Sequence, residues 1–229
     1  MNPVLGLAQR VIQKSDPVKG INESYNVQFG CGLNAPDGWM NFDSSPTLKL
    51  QRIPGLGKMF RGGGLPEFPD NVKWGDIVKG LPFASGTVDR LYCSHILEHL
   101  ALADFRLAIA ETYRLLKPGR VFRLVLPDLE FFATEYLQSS QPDRAVIFME
   151  RSLLGIKKRN RSLTQFLRDW LGGSKHLWMW DYCGIESELH RVGYQSVRRA
   201  KLGDSGEEAF KLVEDAGRWT NALGVECRR

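Results

Sequence analysis

Two glycines and two carboxylates, each placed where an apolar run ends, are the residues of this chain best suited to hold a ligand. Val27-Gln28-Phe29 closes on Gly30-Cys31-Gly32, the run Trp39–Asp43 closes on its own carboxylate, and Gly75-Asp76-Ile77 closes a third. Ligands of an open parallel sheet lie beyond the carboxyl ends of the strands, where strand order reverses. Gly30 and Gly32 lack a Cβ, so backbone there can approach a ligand closely. Asp43, ending a second strand, can accept both hydroxyls of a ribose, and Asp76, after a third, can accept an adenine amino group. Each such charge-assisted bond contributes roughly 1.5–3 kcal/mol. A dinucleotide fingerprint needs a third glycine opening a full helix and an acid about 20 residues on. Here position 35 is Ala35, Pro36 follows, and Asp43 comes eleven residues after Gly32. That leaves little room for a helix whose N-terminus could hold a pyrophosphate. The ligand expected is therefore a nucleoside without phosphates, and NAD is disfavoured.

The candidate bases are His95, His99, His176 and His190, with Asp128 and Asp181. His95 and Asp128 follow runs that end on the same edge as the glycines, which puts both near the ligand. His99 lies four residues after His95 and shares its helix face; a helix histidine bonded to a nearby loop is the equal alternative. His190 sits in an amphipathic tail helix and reads as structural. Two histidines four apart suggest metal, but zinc takes three or four protein ligands, and no metal is expected. In the stretch His176-Leu177-Trp178-Met179-Trp180-Asp181-Tyr182, extended backbone would put Trp178, Trp180 and Tyr182 on one face. That face could stack on a sugar or close over an acceptor; packing against a sheet competes with it. His176 and Asp181, at or near its ends, make this the preferred acceptor-side segment.

The elements that must position these residues alternate between short strands and longer helices, the pattern of a parallel sheet. Strands are expected at Tyr25–Gly30, Trp39–Asp43, Val72–Gly75, Val88–Ser94 and Val121–Pro127. Leu102–Leu116 repeats its apolar residues at helical spacing, and Lys117-Pro118-Gly119 should stop it. Leu129–Leu137 should be helical again, as should Ile185–Val192. Strand-like Tyr194–Arg199 and Ala222–Cys227 close the chain as a possible hairpin. The crossover at Leu33–Gly38 offers only a turn or two where a dozen residues are usual, so its helix must be vestigial. Residues 1–24 read as a helical extension, with an amphipathic helix at Pro3–Lys14, and 25–229 as the domain. Within it, Pro46–Asn71, rich in glycine and proline, reads as an irregular insertion (46–71), and Ser139–Trp180 as a lid or substrate insert (139–180).

The net charge of +5 is unevenly placed. Residues 1–150 are neutral, with sixteen basic against sixteen acidic side chains, whereas 151–229 carry fifteen against ten. Its sharpest patch, Lys157-Lys158-Arg159-Asn160-Arg161, would suit an anionic or phosphorylated acceptor; a solvated helix end is the plainer reading, and no nucleic acid is required. Cys31, Cys93, Cys183 and Cys227 are scattered without a CxxC pair, which speaks against structural zinc or a disulfide framework. No apolar run is long enough to span a bilayer, and Gln9 and Arg10 interrupt the only apolar stretch near the N-terminus. A cytoplasmic protein is expected.

Six stretches in order resemble the successive motifs of class I S-adenosylmethionine-dependent methyltransferases. They are Gly30-Cys31-Gly32, Gly38-Trp39-Met40-Asn41-Phe42-Asp43, Gly75-Asp76-Ile77, Leu81-Pro82-Phe83, Val88-Asp89 through Ser94-His95-Ile96-Leu97-Glu98-His99-Leu100, and Leu115-Leu116-Lys117-Pro118-Gly119. The type 11 group matches best, in the branch with a G-W-x-N-x-D second motif, over about residues 25–137. The resemblance implies an α/β Rossmann-like fold, a seven-stranded mostly parallel sheet with an antiparallel last strand, and S-adenosyl-L-methionine as cofactor. It places Gly30, Cys31, Gly32 and Asn34 around the methionine moiety, Asp43 on the ribose, Asp76 and the Ile77 amide on adenine, and Ser94 and His95 along the cofactor. Two positions depart from the pattern: the acid two residues before the first glycine is Gln28, and the third glycine is Asn34. Members of that branch often act on sugars or surface polysaccharides, which with the basic patch favours O-methylation of a sugar, glycan or sugar-phosphate. A hydroxyl is weakly acidic and wants a general base; His99, His176 and Asp128 are the candidates. A small-metabolite methyltransferase and a non-catalytic cofactor-binding member of the fold are the alternatives.

Overall fold

The computed structural model describes residues 24–55, 57–60, 65–157 and 175–229. The amphipathic stretch Pro3–Lys14 and residues 158–161 of the basic patch lie outside these. One sheet of seven strands organises the rest: β1 (Tyr25–Phe29), β2 (Met40–Asp43), β3 (Val72–Trp74), β4 (Val88–Ser94), β5 (Leu116–Pro127), β6 (Gln195–Ala200) and β7 (Ala222–Arg228). Their order is β3-β2-β1-β4-β5-β7-β6. Strands β1 to β5 run parallel, and β7 is antiparallel to both neighbours. The sheet expected from the sequence is the one found. Central β4 reads as an almost unbroken buried run, as a parallel strand covered on both faces must.

On one face lie α2 (Leu102–Leu115) and, after α3 (Leu129–Gln138) and α4 (Arg144–Arg151), α5 (Tyr182–Val192). Helix α2 buries Phe105, Ala108, Ile109, Thr112 and Leu115, one stripe at helical spacing. With Ile185 and Leu189 of α5 these pack on Phe29, Leu91, Cys93, Phe122 and Leu124 of the sheet. Helix α5 ends on Gly193 at φ 117°, a left-handed cap that glycine adopts without Cβ strain.

The other face solves the short-crossover problem. Residues 30–39, between β1 and β2, form turns and no helix, so the sheet above them needs a different cover. The connection between β6 and β7 supplies it. Its Phe210 and Val213 are buried against Trp39, Tyr92, Val121 and Val125, and Trp39 Nε1 donates to the Ala209 carbonyl at 3.2 Å. A Cβ on Gly224 would sit 2.2 Å from the Trp219 ring, so that indole lies directly on a bare strand residue. Arg123 of β5, fully buried, clamps the segment: it pairs with Glu214 (2.5 Å), Asp204 (3.0 Å) and Glu226 (3.0 Å) and donates to the Lys201 carbonyl. Its guanidinium also lies 4.8 Å from the Trp219 ring centroid.

Some expectations are corrected. Pro46–Asn71 is not wholly irregular: Pro46–Gln51 forms α1, with Pro46 in the first turn where its missing N–H costs nothing, and Gly57–Phe60 forms a 3-10 turn. Helix α2 ends before Lys117-Pro118-Gly119, because Leu116 already pairs with Val88. Those three residues form the bulged entry to β5, with Lys117 Nζ 2.8 Å from Asp89. Strands β6 and β7 pair directly but are joined by the long covering segment, so they are not a tight hairpin. Among the described residues no helix is long and apolar enough to cross a membrane.

Candidate functional site

Strand order reverses between β1 and β4, and ligands of an open α/β sheet bind beyond the carboxyl ends of the strands at such a point. Both glycines of the turn after β1 have positive φ, 64° at Gly30 and 56° at Gly32. Their free space is used differently. A Cβ on Gly30 would lie 2.0 Å from Ile96 Cγ1, so that bareness serves side-chain packing. Above Gly32 the nearest group is the Arg218 guanidinium, 3.7 Å from where a Cβ would stand.

Asp43 is buried at the end of β2. One carboxylate oxygen accepts the Gly32 N–H at 2.9 Å and the other the Ser45 N–H at 2.7 Å. The acid thus fixes the glycine turn while each oxygen keeps a second lone pair for a ligand. Asp76 accepts the Val78 N–H at 3.0 Å and lies 3.0 Å from Lys79 Nζ. Ile77 puts its side chain in the core. Cys31 packs with Leu48, Phe68 and Val72, and burial first, then the nearby Asp43, pushes its thiol up to about 12. Asn34 donates from its side chain to the Val213 carbonyl at 3.0 Å, tying the turn to the β6–β7 segment. Gln28, where the family pattern has an acid, donates its amide to the Asn34 carbonyl at 2.7 Å and to the Asn41 side chain at 2.6 Å.

Ser94 ends β4 with its hydroxyl buried and without a hydrogen-bond partner among the described residues. His95 follows at φ 54°; its Nε2 meets the Arg218 carbonyl at 2.7 Å and its Nδ1 lies 3.2 Å from Glu98 Oε1. Burial pulls the His95 pKa down, but the Glu98 carboxylate and the Arg218 carbonyl outweigh it and leave the pKa raised. Arg218 donates to the Ser94 carbonyl at 2.9 Å, placing a cation between the glycine turn and the end of β4. Sequence reasoning missed this residue. An arginine in the last connection carries no local signal, and it reaches this point only because that connection covers the sheet in place of the absent helix.

Beyond β4, Leu97–His99 forms a 3-10 turn around Glu98, which is fully buried. The segment bearing His176 is laid across it: Leu177 and Trp178 both donate N–H to the Glu98 carbonyl, at 2.7 and 3.1 Å, and His99 Nδ1 meets the Lys175 carbonyl at 2.9 Å. This brings His99 and His176, 77 residues apart in sequence, to a ring-centroid separation of 5.0 Å. Both place Nε2 3.9 Å from Glu98 Oε1. Burial chiefly lowers the His176 pKa from its ordinary value, which favours the neutral imidazole.

The remaining candidates have structural partners. Asp128 caps α3, accepting the Glu130 N–H at 2.9 Å, at the same edge of the sheet. Asp181 caps α5 in the same way, accepting the Gly184 N–H at 2.7 Å. His190 Nδ1 bonds the Tyr194 carbonyl at 2.9 Å, a structural contact as expected. Trp178 and Trp180 bring their ring centroids within 6.0 Å, but the three aromatic side chains do not form one open face. Trp180 is buried with its ring centroid 4.3 Å from that of Phe105, Tyr182 opens α5 and donates its hydroxyl to Glu186, and Trp178 alone is exposed, at 41%. Trp180 forms a parallel bridge to Asp128 at the sheet edge, and α5 begins two residues later.

The carboxyl ends of β1, β2 and β4 and the residues after β3 therefore gather a glycine turn, a cation and two carboxylates with unused lone pairs. That donor set suits an adenosine joined to a zwitterionic amino acid. Residues 64–124 match the family model described as a methyltransferase domain, of type 11. Among curated proteins nothing matches the sequence. Solved structures resemble it over most of its length at low identity. A methyltransferase from Mesorhizobium loti dependent on S-adenosylmethionine shares 17% identity, covering 90% of each chain at a TM-score of 0.45. One from Archaeoglobus fulgidus, likewise dependent on that cofactor, shares 14%, covering 91% of this chain and 87% of its own at 0.46. A chain from the complex of the Haloferax volcanii Trm112 methyltransferase activator with a methyltransferase shares 16%, covering 90% and 82% at 0.46.

Proposed function

We propose an acceptor for this chain, a class I S-adenosylmethionine-dependent methyltransferase of the type 11 group: a hydroxyl of a sugar, glycan or sugar-phosphate. When bound, the cofactor supplies an electrophilic methyl group on a sulfonium. Asp43 would hold its ribose, Asp76 its adenine, and Arg218 its carboxylate, a role opened by the absence of an acid at Gln28. Ser94 and His95 would line its path from the end of β4.

The observation that carries the acceptor reading is the cluster of Glu98, His99 and His176 just past β4. An amine or thiolate acceptor needs little more than desolvation and alignment, whereas a hydroxyl must shed a proton as its oxygen attacks. His176, whose burial favours the neutral imidazole, can take that proton while the new O–CH₃ bond forms and the S–CH₃ bond breaks. The Glu98 carboxylate beside it would stabilise the resulting imidazolium. Trp178, exposed two residues on, offers a face on which a sugar ring can stack. Asp128, which caps α3 on the same edge, is the second candidate base.

The test is turnover of methyl-labelled cofactor against sugars, sugar-phosphates and cell-envelope extracts. Label should enter a hydroxyl of a carbohydrate, and His176→Ala should slow turnover while cofactor affinity holds. Transfer confined to amines or carboxylates would overturn the acceptor assignment, and cofactor binding without any transfer would favour a non-catalytic role.

A further inference from the structure

Glu98 poses a problem that the hydroxyl reading leaves open. Its side chain is fully buried, and neither carboxylate oxygen accepts a well-formed hydrogen bond among the described residues. A buried carboxylate left uncompensated is strongly destabilising. What faces it makes the problem sharper. The Lys175 carbonyl can only accept, so His99 must carry its proton on Nδ1, which leaves the neutral ring's Nε2 lone pair directed toward Glu98. His176 also presents Nε2 to the same oxygen at 3.9 Å. His95 also faces it, with Nε2 on the Arg218 carbonyl and Nδ1 3.2 Å from Glu98 Oε1, where it can donate to that oxygen as an imidazolium. The Nε2 atoms of His99 and His176 still meet the carboxylate at one point, and a cation there would satisfy them together.

We propose that Glu98, His99 and His176 hold a divalent transition-metal ion. One donor atom from each lies within 4.8 Å of the other two. Tetrahedral zinc with bonds near 2.1 Å sets its ligands about 3.4 Å apart, so closure needs side-chain movements of well under an ångström for the pairs at 3.9 Å. Two imidazoles and one carboxylate are the donor set of catalytic zinc, which keeps an open position, and imidazole also suits cobalt and nickel. The carbonyl bond to His99 Nδ1 is the outer contact that fixes a metal-binding imidazole's tautomer and orientation. The sequence offered only His95 and His99 at a ligand spacing; the fold supplies Glu98 from the same turn and His176 from a distant segment. The role of the ion rests on the hydroxyl-acceptor reading. An acceptor oxygen in the open position would become a stronger acid, which takes over the task assigned above to His176 alone.

The test uses the full chain stripped with a chelator. Calorimetry with zinc chloride and absorption titration with cobalt chloride should each show one ion per chain, the cobalt spectrum having the intensity of a low-coordinate site. His176→Ala and Glu98→Gln should each weaken binding more than about 100-fold, while His190→Ala leaves it unchanged. If Glu98→Gln fails to fold, the half-exposed His99→Ala serves in its place. S-adenosylhomocysteine binding, measured on the same samples, reports the cofactor reading separately and should survive metal removal. The proposal is overturned if the folded wild-type chain binds neither ion, leaving an imidazolium at His95 to neutralise Glu98, or if binding persists in both His99→Ala and His176→Ala.

Discussion

Arg218 reaches back across 124 residues of sequence to donate a hydrogen bond to the Ser94 carbonyl, at 2.9 Å. The contact joins the connection before the last strand to the end of the central one, at the reversal of strand order. It leaves a guanidinium over the glycine turn, where the methionine end of the cofactor would lie. Arg218→Ala should weaken S-adenosylhomocysteine binding by about 10- to 100-fold, the loss of one charge-assisted pair, and Arg218→Lys should recover part of it. Equal affinity in wild type and Arg218→Ala would remove the residue from the site.

The cover over the Trp39 face depends on Arg123, which meets three carboxylates while fully buried. Removing one side of such a cluster leaves buried charge uncompensated. Arg123→Met should therefore lower unfolding free energy by about 3–5 kcal/mol in urea titration. The fluorescence of Trp39 and Trp219 should report the loosening. A change below about 1 kcal/mol would show that the ion cluster is dispensable to the fold.

Asp204 gives this cluster a pH dependence. Burial alone would raise its pKa, but Arg198, the Lys201 amide and Arg123 together bring it from 3.8 down to about 2. A depressed pKa means stability that is complete above the ordinary value and lost as pH falls through the folded one. The side chain is about one-third exposed, so the contribution at pH 7 is discounted for solvent to about 1–2 kcal/mol. Asp204→Asn should be less stable by that amount at pH 7, and the gap to wild type should close as pH drops from 4 towards 2. A gap that is constant with pH would assign the effect to packing.

The sheet was legible because parallel strands buried on both faces must be apolar runs, and glycines and acids mark their ends. Val88–Ser94 was read to the residue for that reason. The placement of the candidate site residues was legible where it is local: Gly30, Gly32, Asp43, Asp76, Ser94 and His95 each lie at or just past a strand end. It was illegible where the chain returns from afar. Nothing near Arg218 or Phe210 in sequence says that the β6–β7 connection replaces a missing helix. Glu98 lies inside a recognised stretch, but its burial among imidazoles depends on the backbone bonds from Leu177 and Trp178. The alternation of Trp178, Trp180 and Tyr182 misled because period two was carried past Trp180 into a helix that begins at Tyr182.

Calorimetric titration of the full chain with S-adenosylhomocysteine, run beside NADH and repeated on Asp43→Ala, tests the central claim most directly. The account predicts one molecule of S-adenosylhomocysteine bound per chain, no heat from NADH, and affinity about 10- to 100-fold lower in the folded Asp43→Ala variant. Saturable binding of NADH, or S-adenosylhomocysteine affinity indifferent to Asp43, would contradict it.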